Sequence, residues 1–246
     1  MLPWQIAMFS GSWAPTQFPG ITGWGDANDL SGQSDGTDVT TWTNRTGASG
    51  DWDQRASGNL PDKETVNGYL AVDYLASNSE SMDNATTLAT MIGDTGLCAV
   101  VLELTGTPSS SAGDFYNNNA VIADASGYWA IAGVNDSGTT PGVRFGIYDG
   151  ASKNRFVAAT TGARHVALMY RTSGSVLTAS VDGGTETTLS SVGAPQVQTG
   201  VMRLGVNYTL GTYFNGKIYE IVTSTQNGAS GDRDKLLSYL INKWGI

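Results

Sequence analysis

Residues 165–184 read HVALMYRTSGSVLTASVDGG. Two runs rich in apolar residues, 165–171 and 176–181, are each followed by a short cluster that tolerates positive φ, Thr172-Ser173-Gly174 and Asp182-Gly183-Gly184. β-Branched and aromatic side chains suit a pleated, half-buried strand, and a short Gly-, Asp- or Ser-bearing turn sends the chain back beside itself. The segment predicts an antiparallel hairpin that runs straight into a further turn.

The same alternation extends outward in both directions. Strand-like runs stand at 21–24, 38–43, 69–75, 97–104, 120–123, 128–132, 143–148 and 155–158 before the hairpin, and at 185–189, 201–206 and 217–223 after it. Separators such as Asn135-Asp136-Ser137-Gly138 and Asp149-Gly150 carry turn chemistry, so a mainly antiparallel, all-β chain is expected. The two longest separators, 43–67 and 105–119, read as irregular loops. After Gly228 the pattern changes to a helical period: Leu236, Leu237, Leu240, Ile241 and Trp244 share a face, Ser230 is placed to cap, Asp232 and Asp234 suit the positive end, and Lys243 and Gly245 mark the stop. One helix over 230–244 should close the fold. The expected organisation is an extended arm over 1–19 and one sandwich domain over 20–246.

Composition sets limits. The 246 residues are 40% hydrophobic with seven tryptophans, enough for a sizeable core, and only 14% charged. Thirteen basic against 22 acidic residues leave a net charge of −9, which repels polyanions, so no nucleic-acid partner is expected. Cys98 is alone and lies in an apolar run, which excludes an internal disulfide and a cysteine zinc site. No window is long and apolar enough for a membrane span, and residues 1–9 (MLPWQIAMF) lack a basic start and a cleavage site, so no membrane insertion and no signal peptide are read.

Several fragments carry a resemblance. Residues 23–30 (GWGDANDL), then Asp35-Gly36 and 39–42 (VTTW), resemble the opening of the laminin-G/pentraxin-like branch of the concanavalin A-like lectin/glucanase superfamily, as seen in phage virion and bacterial surface proteins. Residues 69–74 (YLAVDY) are similar to its next core strand, and 165–183 to its central hairpin. Residues 214–222 (FNGKIYEIV), Asp232-Arg233 and 239–245 (YLINKWG) resemble its last strand and closing helix. The resemblance implies a two-sheet antiparallel jelly-roll sandwich with one C-terminal α-helix. The same fold hosts sugar binding, adhesion, virion architecture and hydrolysis.

Hydrolases of that family carry two glutamates flanking an aspartate at alternate positions of one strand. Glu103 and Glu220 each stand alone, so no catalytic residues and no enzymatic activity are expected. Glu220 is expected to pair with Arg203. One histidine, His165, builds no multi-histidine metal site. The family's calcium sites leave calcium open at the turn residues Asp124, Asn135, Asp136 and Asp149, but without a fixed acidic spacing no metal or other cofactor is assigned. Sugar recognition needs an aromatic platform beside amides, which Tyr116 with Asn117 and Asn118, and Tyr128 with Trp129, supply. Trp4, Ile6, Phe9 and Trp13 make the arm apolar; it either packs across its own sandwich or docks on another protein. The expectation is a virion-type decoration or attachment protein on a particle surface, partnered with assembly proteins through the arm, with cell-surface glycan as a second partner and homo-oligomerisation left open. A free extracellular lectin is the alternative and a glycan hydrolase the weaker one.

Overall fold

The computed structural model of the chain describes residues 13–55, 59–106, 119–136, 140–172 and 175–246. Among these, the strands in chain order are β1 (Ile21–Asp26), β2 (Thr37–Asp38), β3 (Thr41–Trp42), β4 (Trp52–Gln54), β5 (Asp62–Val66), β6 (Tyr69–Tyr74), β7 (Met82–Thr87), β8 (Leu97–Leu104) and β9 (Asn119–Asp124). They continue with β10 (Trp129–Asp136), β11 (Thr140–Tyr148), β12 (Ser152–Ala158), β13 (Arg164–Thr172), β14 (Val176–Val181), β15 (Thr187–Leu189), β16 (Val201–Leu204) and β17 (Gly216–Ser224). A one-turn helix α1 (Leu88–Met91) follows β7, and α2 (Ser230–Trp244) ends the chain.

Two antiparallel sheets form a sandwich. The first runs β15-β14-β13-β8-β17-β6-β5-β2, with β1 also pairing β17; the second runs β12-β11-β10-β9-β16-β7-β4-β3. The apolar run of β8 explains its central place between β13 and β17, since both of its faces are covered. Between the sheets lie Trp42, Trp52, Met82, Phe145 and Phe214, all fully buried, each contributing about 1.5–3 kcal/mol of burial. On one side of the sandwich the chain passes directly from β2 in the first sheet to β3 in the second; on the other, β12 and β15 touch.

The expected run 38–43 is therefore two short strands in different sheets, hinged at the buried Val39. The expected loop 43–67 is corrected as well: it contains β4 and β5, and β7 is a further strand the hydrophobic pattern did not mark. These strands are polar. β5 reads Asp-Lys-Glu-Thr-Val, and it joins β6 through Asn67 (φ 52°) and Gly68 (φ 82°), the left-handed pair that a two-residue hairpin requires.

Helix α2 takes the bounds its period predicts. Its N-cap is Ala229 rather than Ser230, with the Asp232 carboxylate accepting the Ala229 N–H at 3.3 Å. Gly245, at φ 65°, caps the other end. Leu236, Leu240 and Trp244 are buried, and Trp244 packs on Tyr219 and Tyr69 of the first sheet at ring separations of 5.3 and 5.9 Å. Ahead of β1, Trp13 stands edge-on to Tyr239 at 5.7 Å and Phe18 is buried against Gly228, so the described end of the arm lies on its own sandwich. Trp4, Ile6 and Phe9 lie outside the described residues.

Candidate functional site

The polar strands build a cleft of about 340 Å³ at one end of the sandwich, lined by Asp38, Gln54, Asn59, Leu60, Asp62, Asn78 and Glu80. Register sets this up. Asp38 pairs with Asp62 across β2 and β5, which puts both carboxylates on one side of the sheet. Gln54 ends β4, opposite Met82 of β7. Between β6 and β7 the chain makes a tight turn, Ala76–Asn78, closed by Ser79 in the left-handed region at φ 59°, and this swings Glu80 back toward the strand end. Glu80 accepts hydrogen bonds from the Leu75 N–H (2.6 Å) and from Asn78 Nδ2 (2.9 Å), and Asn59 Nδ2 donates to the Asn78 carbonyl.

The electrostatics of the cleft are one-sided. Burial first, then the facing Asp38, pushes the Asp62 carboxyl above the ordinary range; burial pushes Glu80 up against the pull of its two donors. Lys63 of β5 and Lys217 of β17 are engaged elsewhere. Lys63 donates to Asp35 (2.5 Å) and Thr65 (2.9 Å), and Lys217 sits 3.0 Å from Glu64 and 3.3 Å from Asp73. Carboxylates accept, and primary amides both donate and accept, so the lining presents an array suited to hydroxyl groups. Among the described residues no group of three His, Cys, Asp or Glu is arranged to hold a metal ion. Asp124 and Asp149 instead accept backbone N–H groups of their own turns and of Gly193.

The residues singled out from sequence fall elsewhere. Tyr116, Asn117 and Asn118 lie outside the described residues. Trp129 is 2% exposed and its ring belongs to the core, so it offers no stacking platform. Tyr128 is half-buried and meets Tyr148 edge-to-face at 5.4 Å, in a turn held by Asp124. That turn lies toward the end of the second sheet where Val201 pairs with Thr87, whereas the cleft lies toward the end where Gln54 pairs with Met82. The cleft itself went unread because β4 and β5 lack a hydrophobic period. Asn67-Gly68, preceding the apolar run at Tyr69, was the signal that could have revealed a hairpin there.

Other chemistry-bearing groups are built into the framework. Glu220 accepts from Trp24 Nε1 (2.7 Å), Trp244 Nε1 (2.5 Å), Lys243 Nζ (2.8 Å) and the Tyr239 hydroxyl (3.2 Å). Lys243 and Arg45 also reach Asp26, at 2.6 and 2.7 Å. The expected Glu220–Arg203 pair is corrected: Arg203 stands beside Asp83 (3.4 Å) and donates to the Tyr208 carbonyl (3.1 Å), because β16 lies in the second sheet and β17 in the first, where the closing helix supplies Lys243 and Trp244 to Glu220. Glu103 accepts from the Tyr219 hydroxyl at 2.7 Å. His165 bridges Asp182 (2.7 Å) and the Thr160 carbonyl (3.0 Å). Burial pushes the Cys98 thiol far up. The Asn-X-Thr sequons at Asn44, Asn84 and Asn207 have buried side chains held by local hydrogen bonds.

No protein-family model and no curated protein matches the sequence. Solved structures do. Domain 4 of AbnA, a GH43 extracellular arabinanase from Geobacillus stearothermophilus seen with arabinotriose, is similar with a TM-score of 0.61 and 11% identity, over 89% of this chain and 98% of that one. Trypanosoma rangeli sialidase in complex with sialic acid gives 0.54 and 9%, over 91% of this chain and 33% of that one. An arabinofuranosidase complexed with arabinofuranosyl-α-1,2-xylobiose gives 0.56 and 13%, over 83% and 51%. This chain thus spans nearly all of the arabinanase domain, about half of the arabinofuranosidase and a third of the sialidase. At these identities the likeness is one of fold.

These neighbours correct the expectation that the chain is not an enzyme, since its sandwich recurs inside glycoside hydrolases. The carboxylate argument behind that expectation is also narrower than the fold. It required two carboxylates on one strand, whereas the fold gathers Asp38, Asp62 and Glu80 from three separate segments into one cleft. The chain has a β-sandwich fold shared with domains of carbohydrate-active proteins.

Proposed function

We propose that this chain is a glycan-recognition domain of the concanavalin A-like jelly-roll class, and that it takes a hydroxyl-rich oligosaccharide into the cleft between Asp38, Asp62 and Glu80. The observation that carries the reading is the lining: among the described residues, three carboxylates and three amides, with Leu60 as the one apolar residue. A drug-like apolar ligand would leave those groups desolvated and unpaired, at a cost of about 1–3 kcal/mol each, whereas a sugar ring returns a hydrogen bond to each of them. The fold it shares with arabinanase, sialidase and arabinofuranosidase domains supports the same class of ligand. In the surface-attachment setting expected from the sequence, this site would face the host glycan while the arm ahead of Trp13, with Trp4, Ile6 and Phe9, held the partner assembly.

A glycan array followed by calorimetry on the best ligand tests the proposal. Asn78→Ala and Asp62→Asn should each weaken binding about tenfold or more, the cost of a hydrogen bond lost at a charged or buried polar group. Tyr128→Ala should leave it unchanged. The opposite pattern would move the site to the Tyr128–Tyr148 pair, and an array without any bound glycan would end the reading.

A further inference from the structure

We infer that the cleft accepts uncharged or cationic sugars and turns away anionic ones, sialic and uronic acids among them. The inference rests on the glycan reading above and names its substrate class. The fold does not make this choice, because its neighbours include one protein seen with arabinotriose, a neutral sugar, and one seen with sialic acid. The side chains make it. A site for an acidic sugar needs a cation or a fan of N–H donors aimed at the ligand carboxylate. Among the described residues, no lysine, arginine or histidine lines this cleft.

The cations on the adjoining strands are already held by other carboxylates: Lys63 by Asp35, Lys217 by Glu64 and Asp73, and Arg55 by Asp83. Residues 56–58, which join Arg55 to Asn59, are Ala-Ser-Gly and add no charge. The hydroxyls of Tyr74 and Ser81 are fully buried and have no hydrogen-bond partner among the described residues. Ser81 follows Glu80 in the chain, and burial first, then the Glu80 charge, holds the Tyr74 hydroxyl in its neutral form. The net charge of −9 adds a long-range term of the same sign.

The test is a calorimetric titration of the full chain with three probes of similar size: arabinotriose, a glucosamine trimer and a sialylated trisaccharide. The neutral probe should bind with an affinity indifferent to salt. The amino-sugar probe should bind at least as tightly and weaken as ionic strength rises to about 0.15 M, where charges are screened beyond roughly 8 Å. The sialylated probe should bind about tenfold more weakly or worse, because juxtaposed like charges are strongly unfavourable. The gap should narrow in an Asp38→Asn/Asp62→Asn variant; should that variant fail to fold, the opposite salt responses of the amino-sugar and sialylated probes carry the test. Equal or tighter binding of the sialylated probe overturns the charge selection and leaves the glycan reading intact. Binding of none of the three, with an empty glycan array, overturns both.

Discussion

Two clusters of carboxylates in this molecule are used in opposite ways. Asp26 and Glu220 are almost wholly removed from solvent, and every approach to them is filled by a donor: two indoles, a phenol, a lysine and an arginine. Asp38, Asp62 and Glu80 line an open cleft with no cation among its described walls. The first cluster ties the last helix to the first strand and to β17, segments far apart in sequence. The second is left with unspent acceptor capacity. What separates the two clusters is whether the fold has already supplied the carboxylates' partners.

The contrast can be broken most directly at Glu220. Glu220→Ala leaves two indole N–H groups buried without their acceptor and Lys243 with Asp26 as its one remaining carboxylate, and should cost about 3–5 kcal/mol in urea unfolding. A loss below 1 kcal/mol would mean that the helix is held by Leu236, Leu240 and Trp244 alone. An intermediate case sharpens the comparison. Asp124 is buried and accepts three backbone N–H bonds but has no cation partner; burial outweighs those bonds and pushes its carboxyl to about 6. Because the folded value lies above the unfolded one, the stabilising contribution is complete below pH 3.8 and is lost as pH rises through 6, on the order of 2–3 kcal/mol in all. Stability measured from pH 4 to pH 7 should show that fall, and Asp124→Asn should flatten it. The smallest effect belongs to the cleft: Asp62→Asn relieves its conflict with Asp38 and should change stability by no more than about 0.5 kcal/mol, in the stabilising direction. A large destabilisation would show that Asp62 is part of the framework after all.

The same contrast explains what the sequence reveals. Strands β8 and β14 and helix α2 were legible to the residue, because burial on one or both faces writes an apolar run or a 3.6-residue period into them. The Glu220 cluster was half legible. Glu220 stood out as an acid among buried residues, but its partners come from a helix and a strand whose approach no local pattern encodes, so Arg203 was the wrong choice. The cleft was not legible. Its strands β4 and β5 lie near the sheet margin and carry Asp, Lys, Glu and Gln, and Glu80 reaches the site through one left-handed residue, Ser79. Trp129 shows the reverse error: a tryptophan next to a turn looks like a platform until the sheet register turns its ring inward.

The passage of the chain from β2 into β3 has a consequence for how the protein keeps company with copies of itself. Each sheet ends on that side in a strand of two residues, too short to template a third molecule, and the opposite side is closed by β12 against β15, where Lys153 and Arg155 sit on the outermost strand. Amyloid-like growth and runaway strand exchange begin at long, uncharged margins, and this sandwich offers none among its described residues. Its described sheet margins therefore give a second copy of the chain little free backbone to pair with.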